Sequence, residues 1–241
     1  MGQYKMIEKI YYNIKNFLKQ IERRLSNRNL SSEFINKSVV ILGPSKSVVI
    51  NNNEYDFVIL LKLFSKKHLY RYNSHNLILF WNGTATKKYL DSRQVLPLNV
   101  KFVFFKGNKQ QFKKIKKLNP DVRIIKFRTL KLSPDGEQTL IVDILSILQS
   151  LSMKLIYVTG INLRVFDYDN DYKNIYKYHK DVNNLNRSIS AGHKPLVDFI
   201  LIKSMYLKKI FETDGILKKI LELSQEDFLL LFHNNNKDKL G

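Results

Sequence analysis

Gly43, Pro44 and Ser45 directly follow a short run of apolar, mostly β-branched residues, Val39–Leu42. A run of this kind that is closed by turn formers predicts a buried strand. Glycine lets the backbone turn sharply, proline fixes φ, and serine can cap the element that follows. In α/β proteins such a turn presents backbone N–H groups to a phosphate at the carboxyl edge of the sheet. The segment predicts either a phosphate-binding turn or a plain connection from strand to loop.

A second candidate lies where the predicted strand Leu77–Phe80 ends, in the residues Trp81, Asn82 and Gly83. An indole ring can cover the face of a base or sugar, and an amide can read one edge of a base. The alternative is a tryptophan packed under a loop, with Asn-Gly as an ordinary turn.

His193 is the candidate general base, because the pKa of an imidazole suits the removal of a proton from a hydroxyl. It stands just before a predicted helix, Leu196–Phe211, with Asp198 five residues further on as a possible orienting partner. The alternative is a structural histidine.

Residues 167–178 alternate acids with tyrosines. The carboxylates of Asp167 and Asp169 could hold Mg²⁺ or Mn²⁺ on a nucleotide-sugar diphosphate. The hydroxyls of tyrosines such as Tyr168 and Tyr172 could instead donate hydrogen bonds to a departing phosphate without a metal. A solvated lid loop is compatible with either role.

The segment Lys106–Lys131 is strongly basic and contains a single acid, Asp121. On a helix, Lys113, Lys116 and Lys117 share one side and form a basic ridge. This ridge could bind the phosphates of a nucleic acid, anionic lipid or an acidic polysaccharide, or it could be a solvated face.

The composition narrows the classes of function. The chain of 241 residues has 41 Lys and Arg against 21 Asp and Glu, a net charge of +20, which favours anionic partners. It has no cysteine, which excludes disulfides, cysteine-ligated zinc and thiol catalysis. No apolar run has the roughly 18 residues of a membrane span, and the first residues lack the pattern of a signal peptide. We expect a cytoplasmic protein that could lie peripherally on the inner face of the plasma membrane.

Short apolar strands alternate with helices, which predicts an α/β fold with a Rossmann-like parallel sheet flanked by helices. The predicted strands are Val39–Leu42, Asp56–Leu61, Leu77–Phe80, Val100–Phe105, Val122–Phe127 and Lys154–Val158. The predicted helices, besides Leu196–Phe211, are Lys109–Leu118, Glu137–Ser152, Ile216–Phe232 and an N-terminal amphipathic helix over Met6–Leu25. The predicted organisation is therefore this N-terminal helix, in residues 1–30, and one domain over residues 31–241.

Taken in order, these segments resemble the motifs of bacterial sialyltransferases and their relatives. The resemblance spans roughly Ser38–Met205 and begins with VVILGPS and the strand DFVILL that follows it. It continues with Phe80-Trp81-Asn82, with Thr139–Leu163, and with Gly192-His193 followed by Asp198. Leu42 stands where that family often has Asn, so the transferred sugar stays open between sialic acid and another CMP-activated sugar such as Kdo.

The resemblance implies a variant of the GT-A glycosyltransferase fold and an inverting transfer of an acidic sugar from a CMP donor to a glycan or polysaccharide acceptor. His193 would then be the general base with Asp198 beside it, and Tyr168 or Tyr172 would stabilise the leaving phosphate. No metal and no cofactor is expected, because CMP is a monophosphate leaving group. The donor contacts implied are Gly43, Pro44, Ser45, Trp81, Asn82, Thr139 and Gly160.

The basic surface would keep such an enzyme near anionic membrane or a growing acidic glycan, as in the synthesis of capsule or lipooligosaccharide, and a homo-oligomer is left open. Two other classes of function compete with it. One is a metal-dependent nucleotide-sugar transferase built on Asp167 and Asp169. The other is a basic nucleic-acid-binding protein in which Gly-Pro-Ser is only a turn.

Overall fold

The computed structural model describes residues 30–43, 55–62, 66–127, 139–163, 165, 195–213 and 215–234. Within these residues the chain forms a seven-stranded sheet in which all neighbouring strands are parallel. The strands are β1 Ser38–Leu42, β2 Phe57–Leu61, β3 Leu77–Trp81, β4 Val100–Phe105, β5 Arg123–Lys126, β6 Leu155–Thr159 and β7 Glu212–Thr213. Their order across the sheet is β5-β4-β3-β2-β1-β6-β7.

The described helices connect or follow these strands. They are α1 Ser31–Phe34, α2 Lys66–Arg71, α3 Gly83–Ser92, α4 Lys109–Leu118, α5 Leu140–Ser150, α6 Pro195–Leu207, α7 Gly215–Glu222 and α8 Gln225–Asn234. None of them is both long and apolar enough to cross a membrane. The predicted N-terminal helix, Met6–Leu25, lies outside the described residues.

The sheet is buried on both faces, because side chains alternate between two cores along each strand. On one face, Val40 and Leu42 of β1 pack in a core with residues of α2, α3 and α4. On the other face, Val39 and Ile41 pack with α1 and with α5 through α8. This two-sided cover accounts for strands that are nearly continuous apolar runs, and it is the Rossmann-like α/β architecture that the alternation of strands and helices predicts.

The amino edge of the sheet is fixed by the carboxylate of Asp56. Its Oδ2 accepts hydrogen bonds from the Ser38 backbone N–H at 2.8 Å and from the Ser38 hydroxyl at 3.0 Å. Its Oδ1 lies 2.9 Å from Lys37 Nζ. The hydrogen bond from the Ser38 backbone is the main reason that the pKa of Asp56 lies below its ordinary value. Asp56 therefore anchors the start of β1 rather than forming part of β2, which begins one residue later.

The six predicted strands and three of the predicted helices are present, with ends that differ by a few residues. The prediction of one helix over Ile216–Phe232 was wrong, since α7 and α8 are separate. The break lies at Ser224, whose hydroxyl accepts a hydrogen bond from the Asp227 backbone N–H and so caps α8. The helix predicted to run to Phe211 ends earlier because Lys209 adopts a left-handed φ of 56°.

Candidate functional site

The strand order places the candidate site at the carboxyl ends of β1 and β6. The chain builds outward from β1 through β2 to β5, and then returns through α5 to form β6 on the other side of β1. In an open parallel sheet, a crevice forms at the carboxyl edge where the strand order reverses in this way, and ligands bind there. Gly43 follows β1 and Gly160 follows β6, so both glycines line this reversal point.

Gly43 lies in close contact with Gly160. Its backbone N–H donates a hydrogen bond to the carbonyl of Thr159 at 2.8 Å. A Cβ atom at position 43 would lie 2.1 Å from the Gly160 carbonyl oxygen and 2.4 Å from Ile161 Cδ1. Gly160 itself has a φ of 69°, in the region that favours glycine. The packing of β1 against β6 therefore requires a glycine at position 43.

This contact also changes which donors a phosphate could use. The N–H of Gly43 is occupied by β6, and proline at position 44 has no N–H. Gly43 and Pro44 therefore offer no backbone N–H to a phosphate. Pro44 and Ser45 lie outside the described residues, so their part in the site stays a prediction.

A partly buried hydrogen bond joins the beginnings of α5 and α6. The backbone N–H of Thr139, the N-cap residue of α5, donates to Oδ1 of Asp198 at 3.1 Å. Asp198 lies in the first turn of α6 and is 4% exposed. Helices that connect parallel strands run antiparallel to them, so α5 and α6 both begin at the carboxyl edge of the sheet. Thr139 and Asp198 therefore lie at the same edge as Gly43 and Gly160.

The Thr139 hydroxyl is an unusual feature of this corner. It makes no capping hydrogen bond to α5, and Thr139 Oγ1 is buried with no hydrogen-bond partner among the described residues. Most buried polar atoms have a partner, so this hydroxyl is a candidate contact for a bound molecule.

Trp81 and Asn82 serve the fold in ways that limit their predicted roles. Trp81 is fully buried in the core, with its ring centroid 4.4 Å from that of Tyr89. Its ring is therefore packed in the core and not exposed to cover a base. Asn82 is the N-cap of α3, and its Oδ1 accepts a hydrogen bond from the Ala85 backbone N–H at 2.9 Å. Only its NH₂ group remains to read a base.

The other predicted site residues lie outside the described residues. They are His193, Tyr168 and Tyr172, together with the candidate metal ligands Asp167 and Asp169. Their roles stay predictions. Among the described residues, no group of three or more His, Asp or Glu side chains could hold a metal ion.

Two lysines at this edge were not predicted as site residues. Lys62 follows β2, has a φ of 60°, and its N–H donates to the Phe80 carbonyl at 2.8 Å. Lys106 follows β4, and its N–H donates to the Trp81 carbonyl at 2.9 Å. Each directly follows a predicted strand, so the rule that parallel strands bring their carboxyl ends together could have found both.

Comparison of the chain with models of protein families, with curated proteins and with solved structures gave no match. The case for a function therefore depends on the residues and geometry of this chain.

Proposed function

We propose that the chain is an inverting glycosyltransferase that transfers an acidic sugar from a CMP-activated donor. The observation that supports this most directly is the meeting of Gly43, Gly160, Thr139 and Asp198 at one edge of the sheet. These residues come from three separate segments that resemble sialyltransferase motifs. The location is also the one at which parallel α/β sheets bind nucleotides.

In this proposal CMP lies across the reversal point between β1 and β6. The Ser45 N–H and the Thr139 hydroxyl donate to the phosphate or the ribose, and the Asn82 NH₂ group, at the end of β3, reads an acceptor atom of the cytosine. The β1 and β3 strands are two strand spacings apart, about 10 Å, which is a distance that a nucleoside monophosphate can span.

The transfer step needs a base for the acceptor. In the proposal His193 removes the proton of an acceptor hydroxyl while that oxygen attacks the anomeric carbon of the donor. A new carbon–oxygen bond forms as the bond between the anomeric carbon and the CMP phosphate oxygen breaks, and the electron pair leaves with CMP. Tyr168 or Tyr172 stabilises the charge that develops on the phosphate.

Asp198 has a positioning role in this scheme. One carboxylate oxygen already accepts the Thr139 N–H, so the residue holds the start of α6 against the start of α5. Because α6 begins two residues after His193, this hydrogen bond fixes the point from which the segment carrying the base extends.

A thermal-shift comparison of CMP, CDP, UDP and GDP tests the proposal. We expect CMP to raise the melting temperature most, because a ligand that binds only the folded state stabilises it. Addition of EDTA should leave the CMP shift unchanged. A shift with UDP or GDP that EDTA abolishes would favour the metal-dependent transferase instead. No shift with any nucleotide, together with tight and salt-sensitive binding of RNA or DNA, would favour the nucleic-acid-binding protein.

A further inference from the structure

Lysines mark the carboxyl ends of three strands on one half of the sheet. Lys62 follows β2, Lys106 follows β4, and Lys126 is the last residue of β5. Lys109, the first residue of α4, lies three residues after Lys106. We call these four residues the lysine row. Lys109 and Lys126 are exposed, and Lys62 and Lys106 are half-buried.

The strand register gives the spacing of the row. Phe105 is paired with Lys126 across β4 and β5, about 5 Å apart, and Lys106 follows Phe105 directly at the end of β4. Two strand spacings, about 10 Å, separate β2 with Lys62 from β4 with Lys106. The strand β2 is itself next to β1, which leads to Gly43. The row therefore extends from the strand next to β1 to the edge of the sheet, alongside the end of β3, where Asn82 is proposed to read the cytosine.

The acids of this half of the molecule lie at the opposite edge. Asp56 precedes β2, Asp91 lies in the last turn of α3, and Asp121 precedes β5, which places all three at the amino edge. No other acid is present among residues 55–62 and 66–127. Among these described residues, the four lysines of the row therefore lie at the carboxyl edge and the acids at the amino edge.

Lys109 lies at a position where a lysine is unfavourable for the helix. The first turn of a helix favours acids, because the backbone N–H groups there carry partial positive charge. The first turns of α3 and α4 contain no acid, and α4 begins with a lysine. A residue that opposes the local preference in this way is expected where function requires it.

We propose that the lysine row binds the acceptor, and that the acceptor is an acidic glycan chain whose carboxylates contact these lysines. This inference depends on the proposed function, since it names the substrate that receives the sugar. A chain lying along the row would bring its end to the reversal point between β1 and β6, where the donor is proposed to bind.

Two other polyanions fit the row less well. Proteins that bind single-stranded nucleic acid present aromatic rings on which bases stack. At this edge the described aromatic residues Trp81, Phe105 and Phe127 are buried, and Phe112, in the first turn of α4, is half-buried against the ring of Phe105. Helices that bind membranes insert exposed apolar side chains. The exposed large apolar residues near this half, among them Tyr70, Val95 and Leu98, lie at the amino ends of the strands.

The test uses two double variants with the same change in net charge. In the first, Lys109→Glu and Lys126→Glu reverse two exposed members of the row. In the second, Lys218→Glu and Lys219→Glu reverse two exposed lysines of α7. The probes are a fluorescent oligomer of sialic acid, a neutral maltooligosaccharide, single-stranded oligothymidylate, and phosphatidylcholine vesicles with or without phosphatidylglycerol.

We expect the full chain to bind the sialic acid oligomer and not the neutral one. The row variant should bind the acidic oligomer about tenfold more weakly, while the α7 variant should lose at most about twofold. The CMP-induced thermal shift should be the same in both variants, which shows that they are folded and that the donor site is intact.

An equal loss in both variants would overturn the inference, because net charge alone would then explain the binding. So would a row-dependent loss that is seen only with oligothymidylate or only with phosphatidylglycerol vesicles. A wild-type chain without a CMP shift would instead contradict the proposed function. The two failures are therefore distinguishable.

Discussion

The backbone N–H of Thr139 donates a hydrogen bond to the buried carboxylate of Asp198, 3.1 Å away and 59 residues further along the chain. The bond joins the first turns of two helices that pack in the same core. An N–H at a helix start has no partner within its own helix, so a carboxylate there satisfies both a donor and the helix dipole. Asp198 is therefore part of the structure of the candidate site as well as a candidate for its chemistry.

Replacement of Asp198 by alanine should lower the free energy of unfolding by about 2 kcal/mol, because the buried Thr139 N–H loses its acceptor. Asp198→Asn keeps an acceptor oxygen and should lose less than half as much. Urea unfolding at neutral pH measures both values. Glu226→Ala, at an exposed acid in the first turn of α8, is the control and should change stability little. Equal losses for the alanine and asparagine variants would show that the hydrogen bond is not what stabilises this corner.

Gly43→Ala should be far more damaging than Gly83→Ala. A Cβ at position 43 would meet the Gly160 backbone at 2.1 Å, whereas nothing lies within 4 Å of a Cβ at position 83. The Gly160 backbone and β6 cannot shift without loss of packing in the sheet. We therefore expect Gly43→Ala to lower the free energy of unfolding by about 3 kcal/mol or more. Gly83→Ala should change stability by less than about 1 kcal/mol, and in the direction of greater stability, since alanine favours a helix.

Chemical denaturation of both glycine variants and the wild type is the measurement. Similar stabilities for the two variants would contradict the close contact between β1 and β6. If Gly43→Ala does not fold at all, Gly43→Ser should fail as well, while Gly83→Ser should fold, which keeps the comparison decisive.

Much of the fold could be predicted because the strands are buried on both faces. Strands such as β2, Phe57–Leu61, then appear as unbroken apolar runs between turn formers. The same signal was missing for β7, which is two residues long. The break between α7 and α8 was missed although the sequence marks it, since residues 224–227 are all polar and place the capping hydroxyl of Ser224 before the acidic first turn of α8.

The candidate site was harder to predict, since its geometry depends on contacts between distant segments. Gly43 was expected for its conformational freedom, yet what requires it is the Gly160 carbonyl on the neighbouring strand. Trp81 has the same sequence context whether its ring faces a ligand or the core, and only the packing against Tyr89 decides between them. Asn119, which follows the helix predicted to end at Leu118, donates a buried hydrogen bond to the Tyr89 hydroxyl at 2.7 Å.

The stability of the protein should depend on pH partly through Asp56. Its pKa is lower in the folded state than in the unfolded state, mainly because of the hydrogen bond from the Ser38 backbone. The carboxylate therefore contributes its full stabilisation above the unfolded value of about 3.9, and this contribution is lost as the pH falls through the folded pKa. Asp56→Asn should lower the free energy of unfolding by about 1 kcal/mol at neutral pH. The effect is small because the side chain is partly exposed to solvent.

Unfolding of wild type and Asp56→Asn at a series of acidic pH values checks this prediction. The difference in stability should shrink as the pH falls below about 4. A difference that stays constant down to the lowest pH would show that the carboxylate charge is not involved. Asp91→Asn, at an exposed acid of α3, is the control for the removal of a carboxylate elsewhere.

His193→Ala should abolish sugar transfer while CMP binding persists. A positioned general base typically accelerates a reaction by about 10²–10⁴-fold, so we expect a loss of that size in kcat. In the proposed mechanism the base contacts the acceptor hydroxyl and not the nucleotide, so the CMP-induced thermal shift should be nearly unchanged. His233→Ala, at an exposed histidine of α8, is the control for removing an imidazole elsewhere and should retain full transfer.

Since the pH–rate profile of a reaction with a histidine base rises as the imidazole loses its proton, the wild type should lose activity below about pH 6.5. Full turnover by His193→Ala would exclude this residue as the base and would leave the acceptor to be activated by another group.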